Sequence, residues 1–133
     1  MRGDMTAAPM RSPLGRAIGL GSAKEGVHHW WTTRLSSIAL VPLTIWFVVS
    51  VIGLIGGDRA TLVAWLHNPV AAVLMILFLA TTFYHSALGI QVVLEDYVHG
   101  EGSKLGLIIV NRLLHYLLAA LTIFAVLKLA LGA

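Results

Sequence analysis

Residues 68–97 read NPVAAVLMILFLATTFYHSALGIQVVLEDY, and no Asp, Glu, Lys or Arg intervenes between Arg59 and Glu95. A helix needs about 20 mainly apolar residues to cross a hydrocarbon layer, so this interval is long enough to span. Asn68 followed by Pro69 is the chemistry of a helix start. The amide side chain caps a free N–H, and the missing proline N–H is no loss at the first helical position. The span should begin at 69 and run to about 94, where the apolar run meets Glu95 and Asp96.

Working outward, a second uncharged interval lies between Arg34 and Asp58, and a third apolar run from Leu105 to the C-terminus is broken only by Arg112 and Lys128. Of the 133 residues 58% are hydrophobic and 11% charged, and the mean hydropathy is +0.86. That balance excludes a water-soluble core. Because each backbone polar group in lipid must be satisfied internally, the runs are read as helices. The expectation is an all-α membrane protein with three transmembrane helices near 32–56, 69–94 and 105–130. These form a domain of residues 32–131 behind an N-terminal tail of residues 1–31.

Gly56-Gly57-Asp58 should end the first helix, while Gly100 and Gly102 with Ser103 supply the second connection and a cap for the third helix. Pro42 releases the carbonyl of Ile38 and bends the first helix unless Ser36 or Ser37 compensates. Arg2, Arg11, Arg16, Lys24 and Arg34 all precede or open the first span, so the N-terminus is expected in the cytoplasm and the C-terminus on the opposite side. Trp30, Trp31 and Tyr97 would then mark the cytoplasmic interface and Trp65 the other. The first thirty residues lack the apolar core of a signal peptide and read as an uncleaved tail, surface-lying or partly disordered. The net charge of +3 belongs mainly to that tail, and no basic-aromatic pattern asks for nucleic acid. Without cysteine the chain has no disulfide, thiolate metal site or cysteine nucleophile.

The polar residues inside the apolar runs carry the functional signal. A helix advances about 100° and 1.5 Å per residue, which puts Asp96 about 20° in azimuth and roughly 16 Å along the axis from His85. Gly89 and Val92 fall on the same face between them, leaving a strip where a flat group can lie against backbone. A lone intramembrane histidine serves either a helix–helix hydrogen bond or a functional site. An axial imidazole to haem iron needs just one such side chain per face. Glu95 and Asp96 at a helix C-terminus oppose the macrodipole, each by about 0.3 to 1 kcal/mol, so stability does not favour them there. A phenol such as Tyr97 beside an acid can donate a hydrogen bond to a carbonyl while the acid relays protons. The bland alternative is a solvated helix end with a belt tyrosine.

Asn111, Arg112 and His115 form a rival cluster within about 100° of arc. Arg112 can snorkel to the surface. His115 lies at a depth similar to His85, which leaves two readings open: a haem ligated by both histidines of one chain, or a histidine hydrogen bond between helices. His67 and His99 are read as solvated loop residues. His28, His29 and Arg34 serve as interfacial anchors or as cations for an acidic group.

Gly26-Val27-His28 followed by Arg34 and Ser37, with His85-x3-Gly89-x-Gln91-x4-Asp96-Tyr97-Val98 in the second span, resembles the family of smaller hydrophobic membrane anchors of succinate dehydrogenase (complex II). The resemblance covers about residues 26 to 131, and the second-span signature is its specific part. It implies that His85 is an axial ligand to haem b, shared with a histidine of the companion cytochrome b anchor subunit, with Gly89 on the same cofactor face. By the same resemblance His28 and Arg34 match positions near the haem propionates. Tyr97 matches the tyrosine that hydrogen-bonds a ubiquinone carbonyl, and Asp96 the adjoining acid that pairs with an arginine of the companion and helps deliver protons.

The implied partners are the companion subunit, an iron–sulfur subunit, a flavoprotein subunit and membrane lipid, in the inner (cytoplasmic) membrane of a bacterium. Alone, such a chain is not catalytic. A related fumarate reductase anchor would look similar. Two other classes stay open: a self-contained bis-histidine cytochrome b carrier using His85 and His115, and a haem-free structural or transport subunit.

Overall fold

Four helices follow one another in the structure, a computed structural model that describes residues 23–132. They are α1 (Ala23–Gly53), α2 (Arg59–Leu66), α3 (Pro69–Tyr97) and α4 (Glu101–Ala130), with no strand among the described residues. From Gly26 on, α1 is long and apolar enough to cross a membrane, and so are α3 and α4. The tail expected to be surface-lying or disordered lies, up to residue 22, outside the described residues.

Each helix end has a local cause. Asn68 caps α3 as anticipated: its side-chain oxygen accepts from the backbone N–H of Val70 at 2.9 Å, with Pro69 at the first helical position. The helix continues past 94 to Tyr97 because nothing before the extended Val98 breaks it. At the other termini the structure departs from expectation. Whereas the apolar run begins near residue 32, α1 starts at Ala23, since Ala, Lys and Glu propagate a helix well outside the hydrocarbon. It ends at Gly53, before the Gly56-Gly57-Asp58 stop. Gly56 adopts φ +83 in the following turn, and Asp58 begins the next helix instead of ending the first. The Asp58 carboxylate caps α2, accepting from the Thr61 backbone N–H at 2.9 Å and the Thr61 hydroxyl at 2.9 Å. Gly100 occupies the N-cap of α4 without a side-chain cap bond. Ser103 sits inside the first turn and donates to the Gly100 carbonyl at 2.9 Å.

Pro42 lies within α1. Ser36 and Ser37 both direct their hydroxyls to the Thr33 carbonyl, at 3.0 and 2.8 Å, so neither serves the carbonyl of Ile38 that the proline releases.

Contacts divide the chain at Thr32. In the first unit the described residues 23–32 are the opening turns of α1. There the Thr32 hydroxyl donates to the carbonyls of His28 and His29, and the Trp30 and Trp31 rings meet edge to face at 5.1 Å. The second unit, from Thr33 onward, holds the rest. The remainder of α1 runs antiparallel to α3, joined by Ser36 to His85 and by stacked Phe47 and Phe78 rings at 4.5 Å. Trp46 of α1 stacks on Trp65 of α2 at 5.7 Å. α3 and α4 pack antiparallel, and the buried apolar residues on them are mostly small: Ala71, Ala72 and Ala87, with Leu88 and Val126. Close backbone approach over small side chains is how helices associate where lipid competes equally for apolar surface. Leu66 anchors α2 in the bundle.

Candidate functional site

The polar residues inside the bundle sort into three groups by what their side chains reach. The first centres on His85, half-buried on α3. Its Nδ1 lies 2.9 Å from the hydroxyl of Ser36 on α1, and that hydroxyl lies 3.0 Å from the Thr33 carbonyl. Ser36 is buried. One turn along, Gly89 is exposed, and a Cβ built on it would meet no atom within 4 Å. Among the described residues the face beside His85 is therefore open for a flat group, one ring nitrogen is fixed by a hydrogen bond and Nε2 has no hydrogen-bond partner. A donor set of this kind fits an axial imidazole to haem iron, because metal-binding histidines hold their second nitrogen in such a bond.

A second group ties α4 to α3. Asn111 donates its amide to the Ala87 carbonyl at 2.9 Å. His115 lies 2.8 Å through Nδ1 from the Asn111 carbonyl, which can only accept, so Nδ1 carries the proton. Its Nε2 is then the acceptor for the Ser86 hydroxyl at 3.1 Å. Both nitrogens of His115 are thus used inside the chain, and Asn111 and His115 are buried. Of the two readings left open for His115, this wiring is the helix–helix hydrogen bond.

The third group stands where α3 ends and α4 begins. Arg112 donates through Nε and Nη2 to the Gln91 side-chain oxygen at 3.2 and 2.8 Å, and the Gln91 amide donates to Glu95 at 2.7 Å. Arg112 therefore bridges to α3 instead of merely snorkelling. Asp96 and Tyr97 follow in the last turn, exposed, with Tyr97 at 78%. They stand about 16 to 18 Å along the helix from His85 and are not brought together with it.

His28 and Arg34 are exposed positions of α1, and His67 and His99 are exposed. His67 also terminates α2, its backbone N–H bonded to Val63 and Trp65 carbonyls. Ser36, Ser86 and Gln91 are the partners that sequence reasoning did not assign. Ser36 stayed unassigned because its pairing with His85 depends on the register of α1 against α3, which the expected bounds near 32 and 94 do not supply.

Residues 8–129 match the model of the succinate dehydrogenase/fumarate reductase transmembrane subunit. The chain is similar to the succinate dehydrogenase hydrophobic membrane anchor subunit of Paracoccus denitrificans, 32% identical over 92% of this chain and 94% of that one. The protein of the same description from Rickettsia bellii is 32% identical over 87% of this chain and 93% of its own. A succinate dehydrogenase membrane anchor subunit from Reclinomonas americana is 28% identical over 68% and 78%. No solved structure matches the chain. The three apolar helices and these relatives make it a multi-pass protein of a bacterial inner membrane.

Proposed function

The chain belongs to the succinate dehydrogenase/fumarate reductase transmembrane subunit family, and from that premise we propose that it is the anchor holding the soluble subunits of succinate:quinone oxidoreductase at the membrane. His85 supplies one axial ligand of haem b, and the second comes from the companion cytochrome b subunit. Tyr97 and Asp96 furnish part of the ubiquinone site at the end of the same helix. Tyr97 orients a quinone carbonyl through its phenol, and Asp96 supports proton delivery from the adjoining water. His28 and Arg34 serve as cationic partners of the haem propionates. The N-terminus faces the cytoplasm, a reading supported by the Lys and Arg before the first span. Haem, when bound, would supply one-electron storage. The protein's part is to hold the ligand, keep the face at Gly89 clear and bind the iron–sulfur and flavoprotein partners.

The observation that carries this reading is the contrast between the two membrane histidines. Among the described residues His115 has both ring nitrogens engaged, whereas His85 has only Nδ1 engaged. A haem shared between chains needs one ligand here. A self-contained carrier needs two, and His115 would have to surrender one of the bonds that join α3 to α4. The test is a reduced-minus-oxidised spectrum of the assembled complex. Replacing His85 by Leu should abolish the b-type signal and replacing His115 by Leu should leave it. The opposite pattern would assign the haem to His115.

A further inference from the structure

We propose that Ser36 is the positioning residue for His85, selecting through its hydroxyl which ring nitrogen keeps a lone pair for iron and tuning how basic that nitrogen is. The inference rests on the reading of His85 as an axial ligand. An imidazole that binds iron through Nε2 carries its proton on Nδ1, so the group facing Nδ1 must accept. That group is the Ser36 Oγ, 2.9 Å away.

A hydroxyl has one proton, and it accepts at this position only when that proton has somewhere else to go. The Thr33 carbonyl, 3.0 Å from the same Oγ, is the outlet. The relay from Nδ1–H to the Ser36 oxygen, and from the Ser36 hydroxyl to the Thr33 carbonyl, closes within this chain. Ser36 is only 7% exposed, so water is a poor substitute for it. About 100° around α3 the adjacent Ser86 meets His115 with the opposite polarity: there the serine donates, because the Asn111 carbonyl already takes the ring N–H. Neighbouring serine–histidine pairs are thus wired to opposite ends, one leaving a nitrogen free for metal and one leaving none.

A ring N–H donated to an acceptor makes the other nitrogen a stronger ligand, which favours the ferric state and lowers the reduction potential. Ser36→Ala removes the acceptor and strands a buried N–H, Ser36→Cys leaves a weak acceptor, and Ser36→Thr retains the hydroxyl. The test uses the complete complex in mild detergent, with wild type, the three Ser36 variants and His85→Leu compared for haem content, EPR g values of the oxidised haem and midpoint potential. The expected result is a potential shifted in the positive direction with displaced g values in Ser36→Ala, a smaller shift of the same sign in Ser36→Cys, and wild-type behaviour in Ser36→Thr. If the alanine complex does not assemble, the cysteine variant carries the measurement. Unchanged potential and g values in the alanine or cysteine variant would overturn the role of Ser36 and leave His85 as ligand. Haem retained with unchanged g values in His85→Leu would overturn the ligand reading itself, and the role of Ser36 with it.

Discussion

At the scale of single residues, what separates a functional side chain from a structural one is the number of hydrogen-bonding atoms its own chain leaves over. His115 leaves none, so its loss should cost packing and nothing spectroscopic. Tyr97 leaves its phenol in the open at the end of α3. Tyr97→Phe should lower kcat/KM for quinone about tenfold, the equivalent of one hydrogen bond worth about 1.4 kcal/mol, with haem content unchanged. Steady-state kinetics equal to wild type would remove Tyr97 from the site. Gly89 gives a sharper discrimination, because a Cβ added there would meet nothing within 4 Å among the described residues. Gly89→Leu should therefore leave the helices intact by circular dichroism yet strip haem from the complex. Normal haem content would show that no flat group approaches that face. His85, Gly89 and Asp96 were legible as one helical surface because spacing alone places them there, and Tyr97 was legible as the neighbour of Asp96 where the apolar run ends. Ser36 was not, since its significance depends on the register of α1 against α3, and a proline six residues on drew attention to the backbone instead.

Among elements, the long spans were legible and the short one was not. An interval without charge between Arg59 and Glu95 permits little besides a crossing, and Asn68-Pro69 marks its start. The eight residues of α2 are too few for periodicity to register, and Asp58 read as a terminator because a glycine pair precedes it. Its carboxyl is held below the usual carboxylate range, first by the Thr61 backbone N–H and then by the Thr61 hydroxyl. A pKa lowered by folding means that the cap is at full strength above the ordinary carboxylate value and is lost as pH falls through the lowered one. Hydrogen exchange of α2 amides, normalised for intrinsic rate, should quicken only in that acid range in wild type and at every pH in Asp58→Ala. Protection in the alanine variant equal to wild type would show that the carboxylate does not hold the helix. Between α3 and α4 the rung from Ser86 to His115 should contribute about 0.6 kcal/mol, the average for interhelical hydrogen bonds in membranes. Thermal denaturation of the Ser86→Ala complex would reveal it.

Taken whole, the molecule buries little of its apolar surface against itself. Ile38, Val41, Ile45, Val49 and Ile52 line an exposed stripe down α1, and Leu113, Leu117, Leu121 and Phe124 do so on α4. No side chain among the described residues is both large and fully buried. Lipid covers such stripes equally well as protein, which is why the sequence announced a membrane protein without indicating which stripe meets a companion. On the proposed reading the chain carries one haem ligand and half a cofactor face, so produced without a companion it should yield no low-spin b-type spectrum. A red, monodisperse preparation of the single chain would favour the self-contained carrier. The most direct measurement is a density map of the assembled complex at side-chain resolution. The predicted map has porphyrin iron on Nε2 of His85, Ser36 on its Nδ1 and a second axial histidine from the companion. Residue 85 turned toward acyl chains with no porphyrin beside it, or iron bound at His115, would contradict it.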